Sequence, residues 1–107
     1  MNVLVVNKNG TIEEHDCELD LLYELCEYKT NKDFEKVHSY DNYEIYGKTK
    51  GKPDNENKYI FPNINKVIYG KACIVKQNDI ITIDEWSQIY DILKNETELA
   101  YEDYESE

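Results

Sequence analysis

The sequence predicts a single α+β domain, a sheet of four to six mostly antiparallel strands with two helices packed on one face. Three observations carry this reading. An Asn9-Gly10 step lies between two strand-like runs, the strongest short-range hairpin signal. Two stretches place apolar residues at i, i+3, i+4 and i+7: Leu19, Leu22, Tyr23 and Cys26, then Trp86, Ile89, Tyr90 and Leu93. That spacing lines one face of a helix. The elements follow in the order ββ-α-ββ-loop-β-β(β)-α, in which consecutive strands pair and helices cover the sheet.

The first strand is the β-branched run Asn2-Val-Leu-Val-Val-Asn7, and its partner begins at Thr11-Ile12-Glu13-Glu14. The first helix is expected at about residues 17–28, with Asp16 as N-cap and Leu25 beside its stripe. It should have ended before Asn31. Residues 33–46 read as two short strands around Asp41-Asn42, built from Phe34, Val37, Tyr40, Tyr43, Ile45 and Tyr46. Residues 47–57 hold two Gly, one Pro and three Lys and read as loop. Lys58-Tyr-Ile-Phe-Pro62 reads as a short edge strand ended by its proline. Val67–Val75 is a strong strand with Gly70 as a bulge, and Asp79–Ile83 is its expected hairpin partner. The second helix is expected at about 84–94, capped by Thr82 or Asp84 with acids in its first turn. The two stripes should pack on Leu4, Val6, Ile68 and Ile74 to form the core. Residues 1–95 are the expected compact domain, and 96–107 an acidic, unstructured tail.

Charge is sorted along the chain. Residues 1–46 carry four Lys and eleven acids, residues 47–76 seven Lys and two acids, and residues 77–107 one Lys and ten acids, for a total of −11 over 107 residues. Such sorting points to contact surfaces rather than to chemistry. All twelve basic residues are Lys. The absence of Arg argues against bidentate reading of guanine, and the net charge repels nucleic acid and anionic membranes. No apolar run approaches the ~20 residues needed to span a bilayer. The start of the chain lacks the basic region and cleavage site of a signal peptide. Cys17, Cys26 and Cys73 are odd in number and form no C-x-x-C pair, which reads as free thiols in a reducing, intracellular compartment.

No catalytic constellation emerges. His15, Cys17, Cys26, His38 and Cys73 have the chemistry of zinc ligands but none of the spacings of a zinc finger or knuckle. Buried free thiols explain the cysteines better. Gly47-Lys-Thr-Lys-Gly-Lys52 is one residue short of a phosphate loop and runs into Pro53. What remains is a basic loop, Lys48, Lys50, Lys52 and Lys58, beside Tyr59 and Phe61, and an acidic–aromatic terminus with Tyr101, Glu102, Asp103 and Tyr104.

Three pieces taken together carry a resemblance. They are Leu22-Tyr23 with Cys26; Tyr46-Gly-Lys-x-x-Gly51 followed by Glu56-Asn-Lys-Tyr-x-Phe-Pro62; and Asp84-Glu-Trp-x-x-Ile-Tyr90 before an acidic terminus. Over roughly residues 20–107 the chain resembles a family of small, uncharacterised proteins encoded by large nucleocytoplasmic DNA viruses of amoebae and algae. It departs from that pattern at Asn63-Ile-Asn65, where prolines follow in the family, and lacks a Gly-Gly-Phe segment after the second helix. The resemblance implies a viral origin, action inside the host cell (cytoplasm or nucleus) or in the virion, and no enzymatic activity. It brings no catalytic residue, cofactor or metal.

The expected function is therefore that of a non-enzymatic interaction protein. Its partner would be a basic protein, histone-like, ribosomal or transcription-associated, held by the acidic surface and tail through contacts that weaken in salt. The alternatives are contact with nucleic acid through the basic 47–76 face, with the tail as an internal competitor, and an unrecognised small metal-dependent enzyme. Homodimerisation through the 58–62 edge is a variant of the first reading. No membrane partner is expected.

Overall fold

The computed structural model describes residues 1–59 and 67–92. Five strands form one antiparallel sheet: β1 (Asn2–Val6), β2 (Ile12–Asp16), β3 (Phe34–Tyr40), β4 (Tyr43–Lys48) and β5 (Tyr69–Lys76), in the spatial order β2-β1-β5-β4-β3. A 3₁₀ turn at Leu19–Leu21 leads into the one-turn helix α1 (Leu22–Leu25). A second helix, α2, occupies residues 83–92 of those described. The chain is α+β, with the last of the described strands inserted at the centre of the sheet.

Two of the three predicted hairpins form. Asn9-Gly10 closes the first with a three-residue loop rather than a two-residue one. The Gly10 N–H donates to the Asn7 carbonyl at 3.0 Å, and Gly10 then adopts φ +93° so that Asn7 and Thr11 can pair at 2.8 Å. This is the type I turn with a left-handed glycine that matches the twist of the flanking strands. Asp41, at φ +55°, turns β3 into β4, where Tyr40 pairs with Tyr43. Gly70 is the bulge: at φ +70° it lies where the β4–β5 register slips, between the pairs Tyr46–Cys73 and Lys48–Tyr69.

The two helices lie on opposite faces, not on one. Leu4, Val6, Ile45, Ala72 and Ile74 bury one face under Ile81 and Trp86, with Ile89 and Tyr90 packed on the edge of that cluster. Val3, Val5, Cys73 and Val75 bury the other under Leu22 and Cys26. The reason is visible in the strands themselves. Val3-Leu-Val-Val6 and Ala72-Cys-Ile-Val75 are apolar at every position, so alternation sends apolar side chains to both faces and each face needs a cover. The second stripe thus packs on Leu4, Val6, Ile68 and Ile74 as expected, whereas the first packs on Val3 and Val5. Leu93 lies outside the described residues.

Two further expectations fail. The first helix is far shorter than 17–28, because the sheet claims its start. Asp16 ends β2 opposite Asn2, its carboxylate holds the Met1 amino group at 3.0 Å, and the Cys17 N–H donates to the Met1 carbonyl. Asp16 is therefore no N-cap, and Glu27 at φ +67° ends the helical segment early. Asp79–Ile83 is not a strand either. β5 already has β1 on one side and β4 on the other, so no edge remains for a further partner. The segment crosses instead to the α2 face: the Ile81 N–H donates to Asn2 Oδ1 at 2.7 Å, the Ile81 side chain is fully buried, and Thr82 caps the helix by accepting from the Glu85 N–H. Lys58 and Tyr59 are not in a strand, and residues 60–62 of the expected edge strand lie outside the described residues.

Candidate functional site: an acid-rimmed apolar trough

The chain leaves β2 at Asp16 and enters the 3₁₀ turn at Glu18, whose extended backbone (φ −81°, ψ 151°) points the turn away from the sheet. Only Leu22 and Cys26 of this segment then reach the core. Leu19 and Leu21 stay in solvent, 49% and 36% exposed. A surface trough of about 410 Å³ opens beside them, lined by Asp16, Cys17, Glu18, Leu21, Glu24 and Leu25. Its apolar wall is Cys17, Leu21 and Leu25, and its polar wall is three carboxylates.

The surrounding field is strongly negative. Residues 13–27 contribute seven carboxylates (Glu13, Glu14, Asp16, Glu18, Asp20, Glu24 and Glu27) and no lysine. Asp16 is met by the terminal amine and Glu27 by Lys71 at 3.1 Å. Cys17 in the trough is kept protonated: burial pushes its thiol up, the Met1 amino group pulls it down, and Glu24, Asp20 and Glu18 push it up again. It is an apolar wall residue and a poor nucleophile. An apolar wall thus faces acidic side chains, with the Met1 amine at the Asp16 end.

The basic loop is less of a unit than its sequence suggests. Lys48 is spent within the fold, its Nζ 4.7 Å above the Tyr28 ring, and Lys50 lies 3.7 Å from Asp33. Lys52 precedes the 3₁₀ turn Pro53–Asn55 and is exposed, as is Lys58. Tyr59 is half exposed and turns the other way, its ring against Gly10 in a cavity of about 160 Å³ that also touches Trp86 and Tyr90. Tyr28 belongs to the α1 face and Trp86 to the α2 face. Lys48 and Tyr59 therefore lie on opposite faces of the sheet instead of sharing a surface. Phe61, Tyr101, Glu102, Asp103 and Tyr104 lie outside the described residues.

His15 and His38 sit on β2 and β3, the two opposite edges of the sheet. Among the described residues, no group of three or more His, Cys, Asp or Glu side chains is placed to hold a metal ion. No described helix is long and apolar enough to cross a membrane. No family model matches the chain, and no curated protein or solved structure does either.

Leu19, expected in the core, is exposed, and Leu21, which lies off the predicted stripe, lines the trough. The signal available was negative: Leu21 falls off the i, i+3, i+4, i+7 stripe, in a stretch of seven acids with no lysine.

Proposed function

We propose that this chain is a non-enzymatic interaction protein that seats a basic protein segment in the trough beside α1, with apolar side chains of the segment on Leu21 and Leu25. The observation that carries the reading is the exposure of Leu21 in a trough whose polar wall is Asp16, Glu18 and Glu24, with Leu19 exposed on the same 3₁₀ turn. Leu19 and Leu21 on the 3₁₀ turn leave apolar area in water, which a partner's side chain relieves at about 25 cal/mol per Å². Lysines or arginines flanking that side chain meet Glu18, Asp20 and Glu24. The resemblance to the viral family supports the role of an adaptor in the host cell.

Fluorescence anisotropy with two labelled peptides tests this, one alternating Lys with Leu and one alternating Lys with Gly. The Lys-Leu peptide is expected to bind at least tenfold more tightly, with affinity falling as salt rises. Leu21→Asp should lose that difference, and Glu18→Gln with Asp20→Gln and Glu24→Gln should flatten the salt dependence. A triple Lys48/Lys50/Lys52→Glu variant should bind the peptide unchanged. Equal binding of the two peptides, or tighter binding of a single-stranded oligonucleotide, overturns the proposal.

A further inference from the structure

All three cysteines of the chain converge on the α1 face of the sheet. Cys26, at the end of α1, and Cys73, in the central strand β5, belong to the same buried cluster, and Cys17 packs against it. The Cys26 and Cys73 sulfurs are 3.4 Å apart, and the Cys73 thiol also faces the Leu22 carbonyl at 3.7 Å. The two residues are 47 apart in sequence and are free thiols here. We propose that Cys26 and Cys73 are a cross-linking pair that closes to a disulfide when the protein meets a small-molecule disulfide of the glutathione type, bolting α1 to the middle of the sheet.

Geometry supports closure. A disulfide needs the sulfurs at about 2.05 Å, so about 1.4 Å remains to be closed. Access is also provided. Cys26 lines an open cleft of about 630 Å³ between the β1–β2 loop, Tyr28 and Asn55, with Lys8 and Lys71 in its walls. Lys71 is paired with Glu27 there, and Lys8 is bonded to the Asp54 carbonyl and Asn55. Cys73 is fully buried behind Cys26, and its contact with that thiol, together with burial, holds its own thiol well above the usual range. The order of events follows. Cys26, as thiolate, attacks one sulfur of the oxidant and expels the first thiolate, which takes up the Cys26 proton. Cys73 then attacks the Cys26 sulfur of the mixed disulfide and expels the second thiolate, which takes up the Cys73 proton. Two cysteine sulfurs are oxidised, and one disulfide is reduced to two thiols.

The full chain carrying Cys17→Ser, titrated with oxidised glutathione and digested at lysine without reductant, tests the proposal. Cys17 lies at the partly exposed edge of the cluster, so the buried residues are kept, and far-ultraviolet circular dichroism checks the fold. Cleavage at Lys8, Lys29, Lys71 and Lys76 leaves Cys26 in fragment 9–29 and Cys73 in fragment 72–76. The expected result is one linked pair of these fragments, with the intact mass lower by about 2 Da. The oxidised form should melt about 10 °C or more above the reduced form, a gain removed by dithiothreitol, since the bond closes a long loop of the unfolded chain. A glutathione adduct that persists on Cys26 overturns the proposal. So do unlinked fragments at full oxidation, or an oxidised form that melts no higher than the reduced one.

Discussion

The Asn57 side chain donates to the Gly70 carbonyl at 2.9 Å and, from the same nitrogen, to the Val6 carbonyl at 3.1 Å. It thereby ties β1 to β5 just past their last pair, Val6 and Ala72, where the Gly70 bulge breaks the ladder. Its oxygen accepts from the Tyr59 N–H at 3.0 Å, and its own N–H donates to the Ile68 carbonyl at 2.7 Å. Asn57 is the buried polar residue of the described core. The Glu56-Asn57-Lys58-Tyr59 string thus has a structural task as a strut.

Asn57→Ala is expected to cost about 1–3 kcal/mol, because it strands two buried carbonyls and the Tyr59 N–H at once. Urea denaturation of wild type and variant measures this directly. A change within about 0.5 kcal/mol would mean that water replaces the amide.

Gly70→Ala should destabilise by about 1–3 kcal/mol from its backbone alone, since φ is +70° there. The added methyl would also clash with the Tyr28 hydroxyl oxygen, displacing the bond that Tyr28 donates to the Tyr69 carbonyl. Tyr28→Phe in the same background should recover part of the loss, leaving the backbone share. Thermal melts of the two variants separate the contributions.

Trp86→Ala removes the largest fully buried side chain of the α2 face and should cost about 3–5 kcal/mol. Denaturant midpoints check it. A loss below about 1 kcal/mol would place the core elsewhere.

Acid should unfold the protein through the carboxylates that dock α2 and brace β4. Lys76 Nζ lies 2.6 Å from Glu85, Tyr43 donates to the same oxygen, and these bonds hold Glu85 below its usual 4.5. Glu44 is lowered as well, burial being outweighed by hydrogen bonds from Gln77, Tyr46 and Lys36. Asp79 is lowered by the Ile80 N–H and then by Lys76. A carboxylate depressed by folding contributes stability above its unfolded pKa that is lost as pH falls through the folded value. Stability should therefore drop as pH falls from about 4.5. Lys76→Met should make that acid limb shallower, read from urea midpoints against pH.

The alkaline side has the opposite cause. Burial raises the phenols of Tyr28 and Tyr43, and burial with the Glu44 carboxylate pushes Tyr46 up to about 12 from an ordinary 10.0. The unfolded chain then releases these protons first, so stability is full below pH 10.0 and lost as pH rises toward 12. Ultraviolet titration should show a late-ionising tyrosine that disappears in Tyr46→Phe.

Much of the fold was legible locally. The Asn9-Gly10 hairpin, the Asp41 turn, the Gly70 bulge and the Trp86 stripe each rest on the conformational preferences of a few adjacent residues, and these survive in the tertiary structure. What the chain cannot specify residue by residue is competition. Asp16 reads as a helix cap, yet pairing with Asn2 and the Met1 amine claims it for β2, and the helix loses its first turns. Asp79–Ile83 reads as a strand, yet β5 has both edges occupied. The candidate site follows the same rule. Its acids were countable in residues 13–27, but the exposure of Leu19 and Leu21 was decided only when the shortened helix, anchored by Leu22 and Cys26, left them no face to bury.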